Sequence, residues 1–207
     1  MGNSRQHPGL VTRSALRPFF FDSLQEAVAN QQVKADEATV FYLVNLLTDF
    51  SRSEKVFDYT QEGLTLRPLA ELYGFAVEAA SQSERKLILQ RLGDVALFIS
   101  GLFSGYFRRR LVDVDYYIAM GGSAYAYLYD TKGQNARERA LATIFRQLSQ
   151  QFVQFVDVLA EVGENAFGPS KHDILSLYAL WAKTGSPRLE YKLRRLGINP
   201  HHSGPIH

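Results

Sequence analysis

The chain has 207 residues, of which 46% are hydrophobic, 13% aromatic and 21% charged, the composition of a globular protein whose core is large enough to hold without staples. Its 23 basic and 21 acidic residues leave a formal net charge of +2, so no global field draws it to nucleic acid or to a membrane surface, and either partner would need a local patch. The absence of cysteine excludes disulfides, thiolate metal sites and cysteine nucleophiles, and it suits a reducing cytoplasm.

Residues 1–17 are polar, carry Pro8, run into Pro18 and show no periodicity, so they read as a flexible arm. The phenylalanines 19–21 run straight into Asp22 instead of extending into the ~7 to 15 apolar residues of a secretory leader. Gln6 stands where N-myristoylation expects Ser or Thr. The first strong helical signal follows Asp36 and Glu37, with Val40, Leu43, Val44, Leu47 and Phe50 at i, i+3, i+4, i+7 spacing. A looser stretch over 51–66 shows no periodicity. Pro68 then opens a helix with Leu69, Leu72, Tyr73, Ala76, Val77 and Ala80 down one face.

Ser83 starts a longer helix that reaches residue 103, interrupted by Gly93. Its apolar run at 95–103 is about half of the ~20 residues a membrane span requires, so it reads as a core segment. Asn135 and Glu138 have the spacing of a capping box and open the longest periodic run, 136–162, in which Leu141, Ile144, Phe145, Leu148, Phe152, Phe155, Val156 and Leu159 form one stripe. Ser170 and Asp173 start a further helix that Gly185 ends, and Ser186, Pro187 and Gly197 bracket a short last one. The alternating Tyr125, Tyr127 and Tyr129 would also suit a strand, but a lone strand has nothing to pair with, so this piece reads as helix. Residues 198–207 read as a flexible tail.

The densest polar and aromatic stretch lies at 105–130. Arg108, Arg109 and Arg110 fan around a helix but converge in a turn, and Asp113 and Asp115 point the same way only in extended chain, where a cation or an arginine fork would be their partner. One reading is a salt-bridged connection between helices, with the two runs neutralising each other. A second is an anionic small molecule held by the arginines, with Tyr116 and Tyr117 as walls. A third, a catalytic carboxylate pair, lacks a histidine or further acidic cluster to complete it. If 114–129 is helical, Asp115, Ile118, Gly122, Ala126 and Tyr129 share a stripe, and Gly121 and Gly122 leave a notch. Two helical glycines cost about 1 kcal/mol each relative to alanine, which close helix packing or the approach of a ligand would offset.

Other signatures are weak. His172 and Asp173 have the form of a metal phosphohydrolase dyad, but the remaining histidines, at 7, 201, 202 and 207, all fall in the presumed arms, so Asp173 reads as a helix cap and no metal site is assigned. Glu-x-x-His, Gly-x-Ser-x-Gly, Walker and Gly-x-Gly-x-x-Gly patterns do not occur, so neither a catalytic residue nor a cofactor is assigned. The last helix sets Arg188, Lys192 and Arg195 beside leucines, which suits docking with a dipole-complementing end or, less well, binding to phosphates.

At LGDVALFISGLF, RRRLVDVDYYIAMGGSAY and LYALWAKTGSPRL the chain resembles a group of bacterial helical proteins with no assigned activity, over most of residues 20–197. The resemblance implies a bacterial, cytoplasmic protein and brings no cofactor or site residue. The expectation is therefore a single all-α domain over 18–197, a bundle of about seven or eight helices. Its leading function is a non-enzymatic interaction or regulatory module that binds a protein partner or itself, with 108–117 in the contact surface. The alternative is a protein or enzyme that takes an anionic small molecule at 108–117 and Gly121–Gly122. Nucleic acid ranks last, and no membrane partner is expected.

Overall fold

A computed structural model of the chain describes residues 13–51, 58–60, 63–65, 67–102, 114–131, 135–167 and 184–195. Within them run helices α1 (Arg13–Asn30) and α2 (Glu37–Phe50), strands β1 (Asp58–Thr60) and β2 (Gly63–Thr65), and helices α3 (Leu69–Glu78), α4 (Gln82–Leu102), α5 (Val114–Asp130), α6 (Ala136–Gln150), α7 (Phe152–Phe167) and α8 (Pro187–Arg195). The fold is an all-α bundle. The helix expected between Ser170 and Gly185 falls mostly outside the described residues.

Helix α4 is the axis. All seven residues 95–101 are buried, and a segment apolar all round belongs at a centre, not on a surface. Around it pack α3, α5, α7 and the edge of α2; α6 lies on α5, and α1 lies on α2 and α7. Gly93 does not interrupt α4. A Cβ there would come within 2.7 Å of the Tyr125 ring, so the glycine opens the space into which α5 inserts the wholly buried Tyr125. Stacked on Phe145 at 5.6 Å and tilted against Phe152 at 6.1 Å, that ring joins α4, α5, α6 and α7.

Four features differ from the periodicity. Helix α1 begins at Arg13, inside the stretch read as an arm, and carries Pro18 in its second turn, a position that forgoes one ladder bond. The run at 136–162 is not one helix. Gln151, at φ −120° and ψ 32°, separates α6 from α7, because the first half packs on α5 and α2 and the second on α4 and α1. The looser stretch contains an antiparallel hairpin, with Asp58 opposite Thr65, Tyr59 opposite Leu64 and Thr60 opposite Gly63. Finally, of the α3 stripe only Leu69 and Ala76 are buried; Tyr73 and Val77 stay in solvent.

Asn135 caps α6, as the spacing predicts. Asn135 Oδ1 accepts the Glu138 amide at 2.9 Å, and Asn135 Nδ2 donates to the Glu138 carboxylate at 2.8 Å.

Candidate functional site

Arg108, Arg109, Arg110 and Asp113 lie outside the described residues. Asp115 is exposed in the first turn of α5, where a carboxylate complements the helix dipole. Tyr116 is exposed and meets the buried Tyr117 edge-on at 5.7 Å. Of the stripe Asp115, Ile118, Gly122, Ala126, Tyr129, the two ends are exposed and the middle is half-buried, with Ile118 packed against the core; the buried face is Val114, Tyr117, Gly121, Ala124, Tyr125 and Leu128. At Gly121 the notch is already filled: a Cβ would meet the Phe152 ring at 2.5 Å and Ala96 Cβ at 2.8 Å. Gly122 sees nothing nearer than Phe152 Cβ at 3.9 Å. The structure thus brings Tyr117 and Gly121 into the packing and leaves Asp115 and Tyr116 outside it, and the notch offers a ligand no space at Gly121.

Two polar constellations went unnoticed in the sequence. In the first, the hydroxyls of Tyr42 and Tyr125 both donate to Asp94 Oδ1, at 2.6 and 2.8 Å, and Gln90 Nε2 donates to the Tyr42 oxygen at 3.1 Å. Burial pushes the Asp94 carboxyl from 3.8 up to about 6, against the two hydroxyl bonds and Arg91, which hold it down. Both tyrosines are raised well above 10, first by burial and then by the Asp94 charge. With its Oδ1 bonded twice, Asp94 pins α2 and α5 to α4. The available signal was an aspartate in the middle of an apolar run.

The second lies where α8 meets α7 and the end of α1. Ser186 Oγ donates to Asp157 Oδ2 and accepts the Leu189 amide at 3.3 Å, so the hydroxyl both caps α8 and satisfies a buried carboxylate. Burial raises Asp157 to about 6, opposed by the Ser186 bond and by Arg188 and Lys192. Two turns further along α7, Glu164 pairs with Arg188 at 2.7 Å and with Lys192. No imidazole stands between Ser186 and Asp157, so the pair does not have the form of an activated nucleophile. Of the cations read as complementing the dipole of the last helix and flanking a docked leucine face, Arg188 and Lys192 are matched to Glu164 of α7, whereas Arg195 lies over the Tyr191 ring at 5.9 Å; Leu189 is buried.

Helix α3 and the side of α4 beside it carry several exposed apolar side chains. Helix α3 rests on α4 and leaves a flank on each side. One carries Leu72 and Phe75 beside Leu87 and Ile88 of α4, with Glu78 and Glu84 at one end and Arg91 at the other. The second carries Tyr73, Ala76 and Val77, facing Leu89 and Leu92 of α4 and Met120 of α5. Phe75 is 44% exposed, Leu87 68%, Tyr73 52% and Val77 58%. Arg67 lies over the Phe75 ring at 5.3 Å. Among the described residues no group of three or more His, Asp or Glu could hold a metal ion, and no helix is long and apolar enough to cross a membrane.

Compared with known proteins, the chain matches no family model, no curated protein and no solved structure, so the functional reading rests on its own geometry.

Proposed function

We propose that the protein is a non-enzymatic interaction module of the bacterial cytoplasm that self-associates, and that the contact is the flank of α3 and α4 built on Phe75 and Leu87. The observation that carries this reading is the exposure of those two side chains, 44% and 68%, next to half-buried Leu72 and Ile88. Contiguous apolar surface rimmed by charge is the mark of a protein contact, and aromatic and arginine side chains are favoured at its hot spots. The rim supports a second copy as the occupant. Glu78 and Glu84 lie at the α3–α4 turn, and Arg91 lies two helical turns further along α4, about 10 Å away. A two-fold axis through the apolar centre sets the acidic end of one copy against the basic end of the other, as an isologous interface requires.

Sedimentation equilibrium tests the reading. The wild-type chain is expected to sediment as a dimer with a melting temperature that rises with concentration, and Leu87→Glu as a monomer with an unchanged helical circular-dichroism spectrum and a concentration-independent melt, since residue 87 is exposed in the single chain. Glu84→Lys is expected to weaken the dimer, and Arg91→Glu added to it to restore part of the loss. A wild-type monomer at tens of micromolar, or a dimer indifferent to Leu87→Glu, would sink the proposal.

A further inference from the structure

The other flank of α3 has a different character. Between α3, α4 and α5 it encloses a cavity of about 310 Å³, at the lower end of the ~300–1,000 Å³ of small-molecule sites. Its floor is apolar and fixed: Ala76, Leu89, Leu92 and Ala124 are all buried. Its rim is polar. Arg85, Ser123 and Tyr127 line it, and the side chains of Ser123 and Tyr127 have no hydrogen-bond partner among the described residues.

Arg85 is the unusual member. It is half-buried, its Nε donates to the Ala76 carbonyl at 2.9 Å, and its Nη2 donates to the Val77 carbonyl at 3.3 Å. Those bonds hold the guanidinium at the end of α3 and use two of its five N–H donors. No carboxylate pairs with it among the described residues. A half-buried cation, held in place, lies beside an apolar floor and two hydroxyl groups that make no hydrogen bond to the described residues and so can turn to a ligand.

We propose that this cavity binds a small amphipathic carboxylate, with the apolar body on the floor and the carboxylate on the free edge of Arg85, assisted by Ser123 and Tyr127. A guanidinium fork matches a planar carboxylate, and charge-assisted hydrogen bonds are the strong ones. The single cation selects a monoanion. A phosphate monoester would bring a second charge next to an apolar floor with nothing to offset it. The site goes beyond the self-association reading and stands on different residues.

Octanoate and 1-octanol are the probes, in calorimetric titrations and amide-shift mapping of the full chain. Octanoate is expected to bind saturably, with shifts gathered at the last turn of α3 and at residues 120–127 of α5. Octanol, which has the same apolar body without the charge, is expected to bind at least about tenfold more weakly. Arg85→Gln is expected to bring octanoate down to the level of octanol. Because Arg85 also holds the end of α3, Ser123→Phe serves as the second variant: residue 123 is exposed on α5, and a phenyl ring there is expected to block both probes while the thermal melt stays unchanged. Leu87→Glu is expected to bind octanoate as the wild type does, which separates this site from the association face. Absence of saturable octanoate binding, equal affinity for the two probes, or undiminished binding by Ser123→Phe would overturn the proposal.

Discussion

Adjacent glycines in one helix are expected to respond to the same substitution with opposite signs. Replacing either Gly121 or Gly122 by alanine removes backbone freedom from the unfolded chain and gains up to about 1 kcal/mol of helix propensity. At Gly122 the added methyl has its nearest neighbour at 3.9 Å, ordinary contact, so the gain is kept. At Gly121 it would sit 2.5 and 2.7 Å from two atoms of the Phe152 ring and 2.8 Å from Ala96 Cβ. That ring cannot swing aside freely: Phe152 is 4% exposed and lies against Tyr125, which is 0% exposed. Overpacking of this kind costs about 1–3 kcal/mol. After the propensity gain the net change at Gly121 runs from near zero to a loss of about 2 kcal/mol, against a gain of up to about 1 kcal/mol at Gly122. Urea unfolding of the two variants beside the wild type reads the difference directly, and at this chain length each kcal/mol moves the melting temperature by roughly 2–4 °C. If Gly121→Ala proves as stable as Gly122→Ala, the α5–α7 packing described above is wrong.

Two further predictions concern the polar groups. Burial raises the Asp94 carboxyl from 3.8 to about 6, so its contribution to stability falls as pH rises between those values, by about 3 kcal/mol in total; Asp157 is raised to about 6 as well, so Asp94→Asn, which can still accept both tyrosine hydroxyls, should remove about half of the fall these two carboxyls produce between pH 4 and 6.5, and an unaltered profile would refute the assignment. Asn135→Ala removes the cap of α6 and should cost about 1 kcal/mol in the same unfolding assay, where an unchanged midpoint would speak against that cap.

Much of the bundle was legible because local and tertiary demands agree. Val40, Leu43, Val44, Leu47 and Phe50 are all buried, and the stripe over α6 and α7 is buried from Ile144 to Leu159 apart from the half-buried Leu141 before it. The break at Gln151 was not legible, since the stripe stays in phase across it and only the choice of packing partner changes. Strands of three residues are too short to display alternation, and Pro18 looked like a boundary when it is a tolerated interior residue of α1. Of the expected site, Gly121 and Tyr117 turned out to be packing residues. The exposed flanks of α3 escaped notice because Tyr73 and Val77 obey the same spacing as a core stripe, and periodicity records which residues share a face without recording whether anything covers it. The Asp94 network joins residues from three separate segments, and such a meeting is a property of topology.

The seating of α1 against α7 carries a lesson about chain connectivity. Asn30 and Gln31 donate to the carboxylate of Glu161, at 2.8 and 2.6 Å, across 131 and 130 positions of sequence, whereas the bond from Tyr125 to Asp94 spans only 31. Because closure entropy grows with the logarithm of length, stretching a loop from 31 to 131 residues is about two doublings and adds only roughly 1.2 kcal/mol. Burying one leucine of α1, such as the fully enclosed Leu24, is worth about 1.5–3 kcal/mol and exceeds that increment. Distance along the polypeptide is therefore a weak barrier to neighbourhood in space, and α1 can close the bundle against α7 for little more than the cost of a short-range contact.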